Sequence, residues 1–208
     1  MARLFGLGDL RKIGSGNIGA TNVLRTGNKP AALLTLLGDA GKGGAAVLLA
    51  RALVGEDAAQ LAGVMAFLGH CFPVFLRFRG GKGVATFLGT LLALSWPLGV
   101  AACLTWLTAA AAFRMSSLAA LIAAVAAPVF ALWLVPQAVV FCIALATLIF
   151  YRHGANIRRI LNGEEPRIGL KGLSGCDTCW FRHPRQHCAQ VQRVMDLEIG
   201  ACCWTASG

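Results

Sequence analysis

Long apolar runs between residues 31 and 151 constrain this chain more than any other feature of its sequence. They are continuous rather than alternating, and polar or Gly-rich breaks separate them. The 208 residues are 57% apolar and only 13% charged, whereas ordinary soluble domains carry roughly 25% charged residues. The pattern predicts an all-α, polytopic membrane helix bundle, because a helix satisfies its own backbone hydrogen bonds in hydrocarbon.

Six apolar segments are expected to cross the membrane, namely 31–54, 58–76, 84–95, 97–113, 116–135 and 137–151. The run from 84 to 113 would be about 45 Å long as one helix, which exceeds a hydrocarbon core of about 30 Å. Pro97 offers a break. Two passages there also place nearly all Lys and Arg residues on one side of the bilayer, in agreement with the positive-inside tendency.

The basic balance of the chain indicates membrane orientation rather than nucleic-acid binding. Lys and Arg number 19 against 9 Asp and Glu, but no basic stripe is interleaved with exposed aromatic residues, as single-strand binding would require. Both termini are expected on the cytoplasmic side. Arg51 is the exception to this orientation, and it is expected to snorkel from a helix end. The predicted location is the bacterial cytoplasmic (inner) membrane, with multiple passes.

The first polar stretch, Gly14–Arg25, contains three glycines, one serine, one threonine, two asparagines and an arginine within twelve residues. Glycines let the backbone approach a ligand closely and point successive N–H groups at it, which suits phosphate. Ser15 and Thr21 add neutral donors, and the forked guanidinium of Arg25 matches a phosphate dianion. The stretch therefore predicts an anion-binding loop.

Two later stretches resemble partners of this loop. In 77–83, Lys82 stands between glycines directly before a helix that begins near Val84, and amides at a helix N-terminus plus a lysine form an anion site. After the last apolar run, His153, Asn156 and Arg159 are three residues apart and would share one helix face. That face can bind phosphate or handle a proton, or it can simply anchor the helix at the interface.

A charged pair interrupts the first apolar segment. Asp39 and Lys42 lie three apart, so they would share a helix face and can form an ion pair. Charged residues at membrane depth usually face a bundle interior or a polar cavity. Both interpretations, a structural ion pair and a lining of the site, stay open.

Taken together, these stretches resemble the bacterial acyl-phosphate:glycerol-3-phosphate acyltransferase family. The motifs that carry the resemblance are Gly14-Ser15-Gly16-Asn17-Ile18-Gly19-Ala20-Thr21-Asn22 with Arg25, Gly69-His70-x-Phe72-Pro73-x-Phe75 continuing into Gly80-Gly81-Lys82-Gly83-Val84-Ala85-Thr86, and His153-x-x-Asn156-Ile157-x-Arg159 ending in Gly163-x-Glu165. The resemblance covers roughly residues 2–169. It implies an integral membrane enzyme with several helices around a polar site that faces the cytoplasm.

The resemblance further implies transfer of a fatty acyl group from acyl phosphate to the 1-hydroxyl of glycerol 3-phosphate, which gives lysophosphatidic acid and phosphate for phospholipid synthesis. No cofactor, metal or covalent nucleophile is expected, because acyl phosphate is already activated. Membrane lipids and the enzyme that produces acyl phosphate are the expected partners. The predicted catalytic residues are Ser15, Arg25, His153 and Asn156; the predicted substrate-binding residues are Gly14, Asn17, Thr21, Asn22, Gly80, Gly81, Lys82 and Gly83; the predicted structural residues are Asp39, Lys42 and Glu165.

Four alternatives compete with this interpretation. The spacing Gly14-x-Gly16-x-x-Gly19 matches a dinucleotide fingerprint, but no buried strand precedes it and no βαβ unit follows. A Ser15/His153 acyl-enzyme lacks an obvious carboxylate to orient the histidine. A membrane transporter or binding protein for phosphate esters is the main alternative, although no repeat of broken helices is visible. The last alternative is that the chain is an inactive, shortened member of the family.

The two ends of the sequence depart from the family pattern. Relatives are expected to carry a seventh, N-terminal helix, and residues 2–8 resemble only its cytoplasmic end. The predicted domains are a membrane acyltransferase domain, 1–169, and a Cys-rich tail, 170–208, that holds five of the eight cysteines. In the tail, Cys176-x-x-Cys179 with nearby His and Cys residues suggests zinc, but the favoured interpretation is sequence without a selected fold.

Overall fold

The computed structural model describes residues 5–8, 10, 16–78 and 80–168. Every helix of more than one turn in this part of the chain is an α-helix: α1 Ala20–Arg25, α2 Lys29–Leu53, α3 Glu56–Cys71, α4 Val84–Leu94, α5 Trp96–Phe113, α6 Ser116–Leu134, α7 Val139–Arg152 and α8 Gly154–Leu161. Short 3₁₀ turns, Val74–Leu76 and Pro136–Ala138, follow α3 and precede α7. The predicted all-α architecture is confirmed, whereas the short helix α1 was not predicted.

All six apolar segments predicted from the sequence form helices, α2 to α7, and the chain breaks at Ser95 between α4 and α5. Four segments are long and apolar enough to cross a membrane, namely Lys29–Leu53, Glu56–Leu76, Trp96–Phe113 and Ser116–Leu134. Helices α7 and α8 form a bent pair, at 63°, that qualifies as a fifth. Helix α4 has only 11 residues, or about 16 Å, so six complete passages stay a prediction.

Helix α4 lies at the centre of the bundle, packed between α2, α3 and α5. Its inward positions include Thr86, Phe87, Thr90 and Leu91, whose side chains are fully buried. Small residues bring α2 and α4 together: a Cβ on Gly89 would clash with the backbone of Ala40. Close backbone approach through small residues is how membrane helices gain packing energy, since lipid is as apolar as a leucine side chain.

Alanine serves the same purpose in α6, which packs between α5 and α7. The fully buried alanines on its inner face are Ala119, Ala120, Ala123, Ala124, Ala127 and Ala131. Large apolar side chains point outward instead, as shown by Leu49, Leu104 and Trp133, which are more than half exposed. Close helix contacts through small residues, with many large apolar side chains facing outward, are suited to a lipid environment.

Arg51 does more than the snorkelling expected from the sequence. Its guanidinium pairs with Glu56 at 2.8 Å and also donates to the carbonyl oxygens of Ala93 and Leu94, at 2.8 and 2.7 Å. Those carbonyls belong to the last turn of α4, where the helix itself supplies no donor. Arg51 therefore caps α4 from the end of α2, which explains a cation on the side that is otherwise poor in Lys and Arg.

Replacing Gly89 with alanine is expected to destabilise the bundle by about 1–3 kcal/mol, because the added methyl group forces α2 and α4 apart. Gly41→Ala is the matched control, because Gly41 lies at an exposed position of α2 where an added Cβ meets no atom within 4 Å. It should be neutral or stabilising by up to about 1 kcal/mol, since alanine is the better helix former. Unfolding in mixed detergent micelles measures both, and equal stability of the two variants would contradict the packing described.

Candidate active site

One cavity of about 450 Å³ lies where the three polar stretches meet, between α1, α2, α4, α6 and α8. The residues that the sequence predicted for the site and that line this cavity are Asn17, Thr21, Asn22, Arg25, Asp39, Lys82, Gly83, His153, Asn156 and Glu165. Lys42, Gly80 and Gly81 lie outside the lining. Gly14, Ser15 and the cysteines of the tail fall outside the described residues.

The second polar stretch places Lys82 at the start of α4. Gly83 has a positive φ of 79° and caps the helix, and a Cβ there would clash with the ring of Phe67, so glycine is required on both counts. Burial lowers the pKa of Lys82 to about 8; Glu165 opposes this shift, and Arg159 and Arg152 add to it. The site thus holds a cation that lacks enough negative charge around it.

His153 stands at the kink between α7 and α8. Its backbone N–H continues α7, by bonding the carbonyls of Ile149 and Phe150, and its own carbonyl starts α8. Because Gly154 is a poor helix former, the helix turns here instead of running on as the sequence suggested. The buried ring places Nδ1 2.8 Å from the Ile149 carbonyl oxygen. Since that oxygen can only accept, Nδ1 carries a proton, and a neutral ring then presents Nε2 as an acceptor.

Glu165 ties the third stretch together through both carboxylate oxygens. Oε1 accepts from Asn156 Nδ2 at 2.6 Å, and Oε2 accepts from Arg159 Nε at 2.8 Å. Burial alone would raise the pKa of Glu165, but hydrogen bonding with Ser117, Asn156 and Arg159 outweighs it, and the pKa lies below its ordinary value. A carboxylate held ionised by such donors is suited to bracing, which is the role the sequence suggested, and poorly suited to accepting a proton.

In the first stretch, Arg25 projects into the cavity from α1. One guanidinium nitrogen lies 3.3 Å from the Pro166 carbonyl oxygen, which leaves most of its donors available. Asn22 is used differently: its amide nitrogen donates to the carbonyls of Leu10 and Asn17, at 2.8 and 2.7 Å. Asn22 therefore braces the loop on which the predicted substrate contacts stand.

The two interpretations of the Asp39–Lys42 pair prove compatible. Lys42 Nζ lies 2.7 Å from Asp39 Oδ1, and both groups also contact Nδ1 of His70, which is 3.4 Å from the carboxylate. Asp39 and His70 line the cavity, while Lys42 does not. The two residues thus form an ion pair, and Asp39 alone of the two is also part of the wall. His70 was missed as a site residue, although the motif Gly69-His70-x-Phe72-Pro73 contained the signal.

Arg152 was also missed, and its only signal was its position beside His153. Its guanidinium donates to the carbonyl oxygens of Gly80 and Gly81 at 3.0–3.3 Å, and it lies over the ring of Phe72 at 5.0 Å from the centroid. In the part of the chain that the structure describes, no three His, Cys, Asp or Glu side chains group closely enough to hold a metal ion.

Comparison with known proteins gives consistent results. The family described as glycerol-3-phosphate acyltransferase matches residues 1–163. A glycerol-3-phosphate acyltransferase of Jannaschia sp. (strain CCS1) is 75% identical over 81% of this chain and 84% of its own length. One from Dinoroseobacter shibae is 66% identical over 82% of this chain and 85% of its own.

Two solved structures have the same fold. The crystal structure of PlsY (YgiH), an integral membrane glycerol 3-phosphate acyltransferase, in its glycerol 3-phosphate form is 40% identical with a TM-score of 0.75, over 81% of this chain and 86% of that one. Its lysophosphatidic acid form is 38% identical with a TM-score of 0.70, over 74% and 80%. With these motifs around one cavity in a membrane bundle, the chain belongs to the glycerol-3-phosphate acyltransferase family of integral membrane enzymes.

Proposed function

We propose that this protein transfers a fatty acyl group from acyl phosphate to the 1-hydroxyl of glycerol 3-phosphate. The hydroxyl oxygen forms a bond to the acyl carbon, the bond from that carbon to the phosphate oxygen breaks, and the products are lysophosphatidic acid and inorganic phosphate. The observation that carries the proposal is the meeting of three polar stretches, with Arg25, Lys82 and His153, around one cavity in a membrane bundle.

Two anionic phosphates have to be held close together in such a reaction. Arg25 and Lys82 approach the cavity from α1 and from the loop before α4, so each can neutralise one phosphate group. Val84 and Ala85 also line the cavity, and the first amides of α4 have no partner within the helix. A helix N-terminus with a neighbouring lysine favours a phosphate. The glycines of the loop let its backbone pack directly against His70 and Phe67.

His153 and Asn156 are assigned to the attacking glycerol phosphate. The Nδ1 hydrogen bond to Ile149 fixes the ring, so that Nε2 is the nitrogen left to accept a hydrogen bond. Asn156 is held by Glu165, which fixes the orientation of its amide. Ser15 and Asn17 are assigned to substrate or oxyanion orientation. Because acyl phosphate is already activated, positioning and charge stabilisation suffice to accelerate the transfer.

An apolar part of the same cavity is suited to the fatty acyl chain. It is formed by Leu33 and Leu36 of α2, Leu88 of α4 and Trp106 of α5. These helices face lipid with their outer sides, so an acyl donor reaches the site from the bilayer. Glycerol 3-phosphate would enter from the cytoplasmic side of the inner membrane, where the basic loops of the protein are expected. The enzyme that makes acyl phosphate would supply the donor.

The purified protein is expected to form lysophosphatidic acid from synthetic acyl phosphate and labelled glycerol 3-phosphate, and His153→Ala should lower kcat by about 10²–10⁴-fold, the range typical of a lost acid–base or orienting group. Acyl-coenzyme A, tested in parallel, should not replace acyl phosphate. Full activity of His153→Ala would refute the assignment of His153. Binding of glycerol 3-phosphate without turnover of either donor would instead favour a transporter or binding protein.

The activity is expected to fall with rising pH through about 8, the pKa of Lys82 in the free enzyme. The sign follows from the ammonium: it is charged below this pH and loses its attraction for phosphate above it. This fall at high pH, the alkaline limb of the pH profile, should appear in kcat/KM, which reports the free enzyme. Lys82→Arg should move it to higher pH, because guanidinium stays protonated, and Lys82→Ala should raise KM. An unmoved limb in Lys82→Arg would assign it to another group.

A further inference from the structure

The loop Gly80–Gly83 carries Lys82 and forms few backbone hydrogen bonds to the rest of the described chain. In the described part of the chain, one backbone N–H of this loop donates to α3: that of Gly81 bonds the His70 carbonyl oxygen at 3.2 Å. Glycine lowers the barrier to other backbone conformations, so such a loop needs external contacts to keep one shape. The side chain that supplies most of them is Arg152.

Arg152 is the last residue of α7 and uses both the edge and the face of its guanidinium. Nε and Nη2 donate to the Gly81 carbonyl at 3.3 and 3.0 Å, and Nη2 also reaches the Gly80 carbonyl at 3.3 Å. The face of the group lies over Phe72, 5.0 Å from the ring centroid. Among the residues that the structure describes, Arg152 forms no ion pair with a carboxylate.

These bonds determine more than the direction of two carbonyl groups. In a planar trans peptide the C=O of one residue and the N–H of the next point in opposite directions. By holding the Gly80 carbonyl, Arg152 turns the Gly81 N–H away from itself, toward the His70 carbonyl that accepts it. By holding the Gly81 carbonyl, it likewise turns the Lys82 N–H away. The direction of the Lys82 N–H thus depends on Arg152.

Close contacts with His70 further restrict the conformation of the loop. A Cβ on Gly80 would clash with the backbone of His70, and one on Gly81 would clash with the His70 ring. The loop is therefore pressed against α3 on one side and bonded to Arg152 on the other. Arg152 itself does not line the cavity, so it can act on the reaction through the loop and through its charge, which adds to the lowering of the Lys82 pKa.

We propose that Arg152 is a positioning residue of the acyl-transfer site, which holds the carbonyls of Gly80 and Gly81 so that Lys82 and its backbone amide face a substrate phosphate. This inference rests on the proposed function, because it assumes that Lys82 contacts a phosphate. The planar fork and the aromatic stacking both require guanidinium, so lysine at this position cannot replace it.

The test compares Arg152→Ala and Arg152→Lys with Arg51→Ala in steady-state acyl transfer. Arg51 is a matched control, since it too donates to two consecutive backbone carbonyls, but those of Ala93 and Leu94 at the opposite end of α4. Arg152→Ala is expected to raise KM for the substrate whose phosphate Lys82 holds by about 10- to 100-fold, with a smaller change in kcat. Arg51→Ala should lower thermal stability and leave KM unchanged.

Methylguanidinium, added at a concentration that leaves the wild-type rate unchanged, should restore KM in Arg152→Ala, and Arg152→Lys should keep most of the defect. Unchanged KM in Arg152→Ala, or wild-type kinetics in Arg152→Lys, would overturn the proposal. If the alanine variant does not fold, the lysine variant decides alone. These outcomes require an active wild-type enzyme, so an inactive wild type refutes the proposed function, whereas an active one with indifferent Arg152 variants refutes only this inference.

Discussion

The structure depends on keeping a short helix, α4, in the middle of a membrane bundle. A helix of 11 residues is too short to cross a hydrocarbon core of about 30 Å. Its terminal N–H and C=O groups therefore need partners, because an unpaired polar group in hydrocarbon costs several kcal/mol. The two ends are treated differently. Arg51 satisfies carbonyls at the C-terminal end, while the N-terminal end opens onto the cavity, where its amides are available to an anion.

The position of α4 in turn explains the small residues around it. Gly89 lies against the backbone of Ala40, and a Cβ at Gly43 would come within 2.9 Å of Thr86 and Thr90. This close approach brings Asp39 on α2 to the same wall as Lys82. The hydroxyl of Thr86 also donates to the Asp39 carbonyl at 2.9 Å. The packing of α2 on α4 therefore forms the active-site wall as well as the core.

Cations and two carboxylates line the cavity, and each carboxylate is engaged with other side chains. Glu165 is occupied by Asn156 and Arg159, and Asp39 by Lys42 and His70. Burial lowers the pKa of Lys82 before any phosphate arrives, and the nearby Arg159 and Arg152 add to this shift. A phosphate dianion would relieve this electrostatic strain, so part of the affinity of the site for its anionic substrates comes from how its cations are arranged in the empty protein.

The sequence by itself determined the membrane class, the six apolar helices, the break near Pro97 and the three polar stretches, because hydropathy and glycine content act within short segments of the chain. Ten of the predicted site residues do line one cavity. Only the tertiary structure decided that Arg51 caps α4, that His70 joins Asp39 and Lys42, and that Arg152 holds a loop 71 residues before it. Such contacts depend on where packed helices bring distant residues together, and no periodicity within a single helix encodes that.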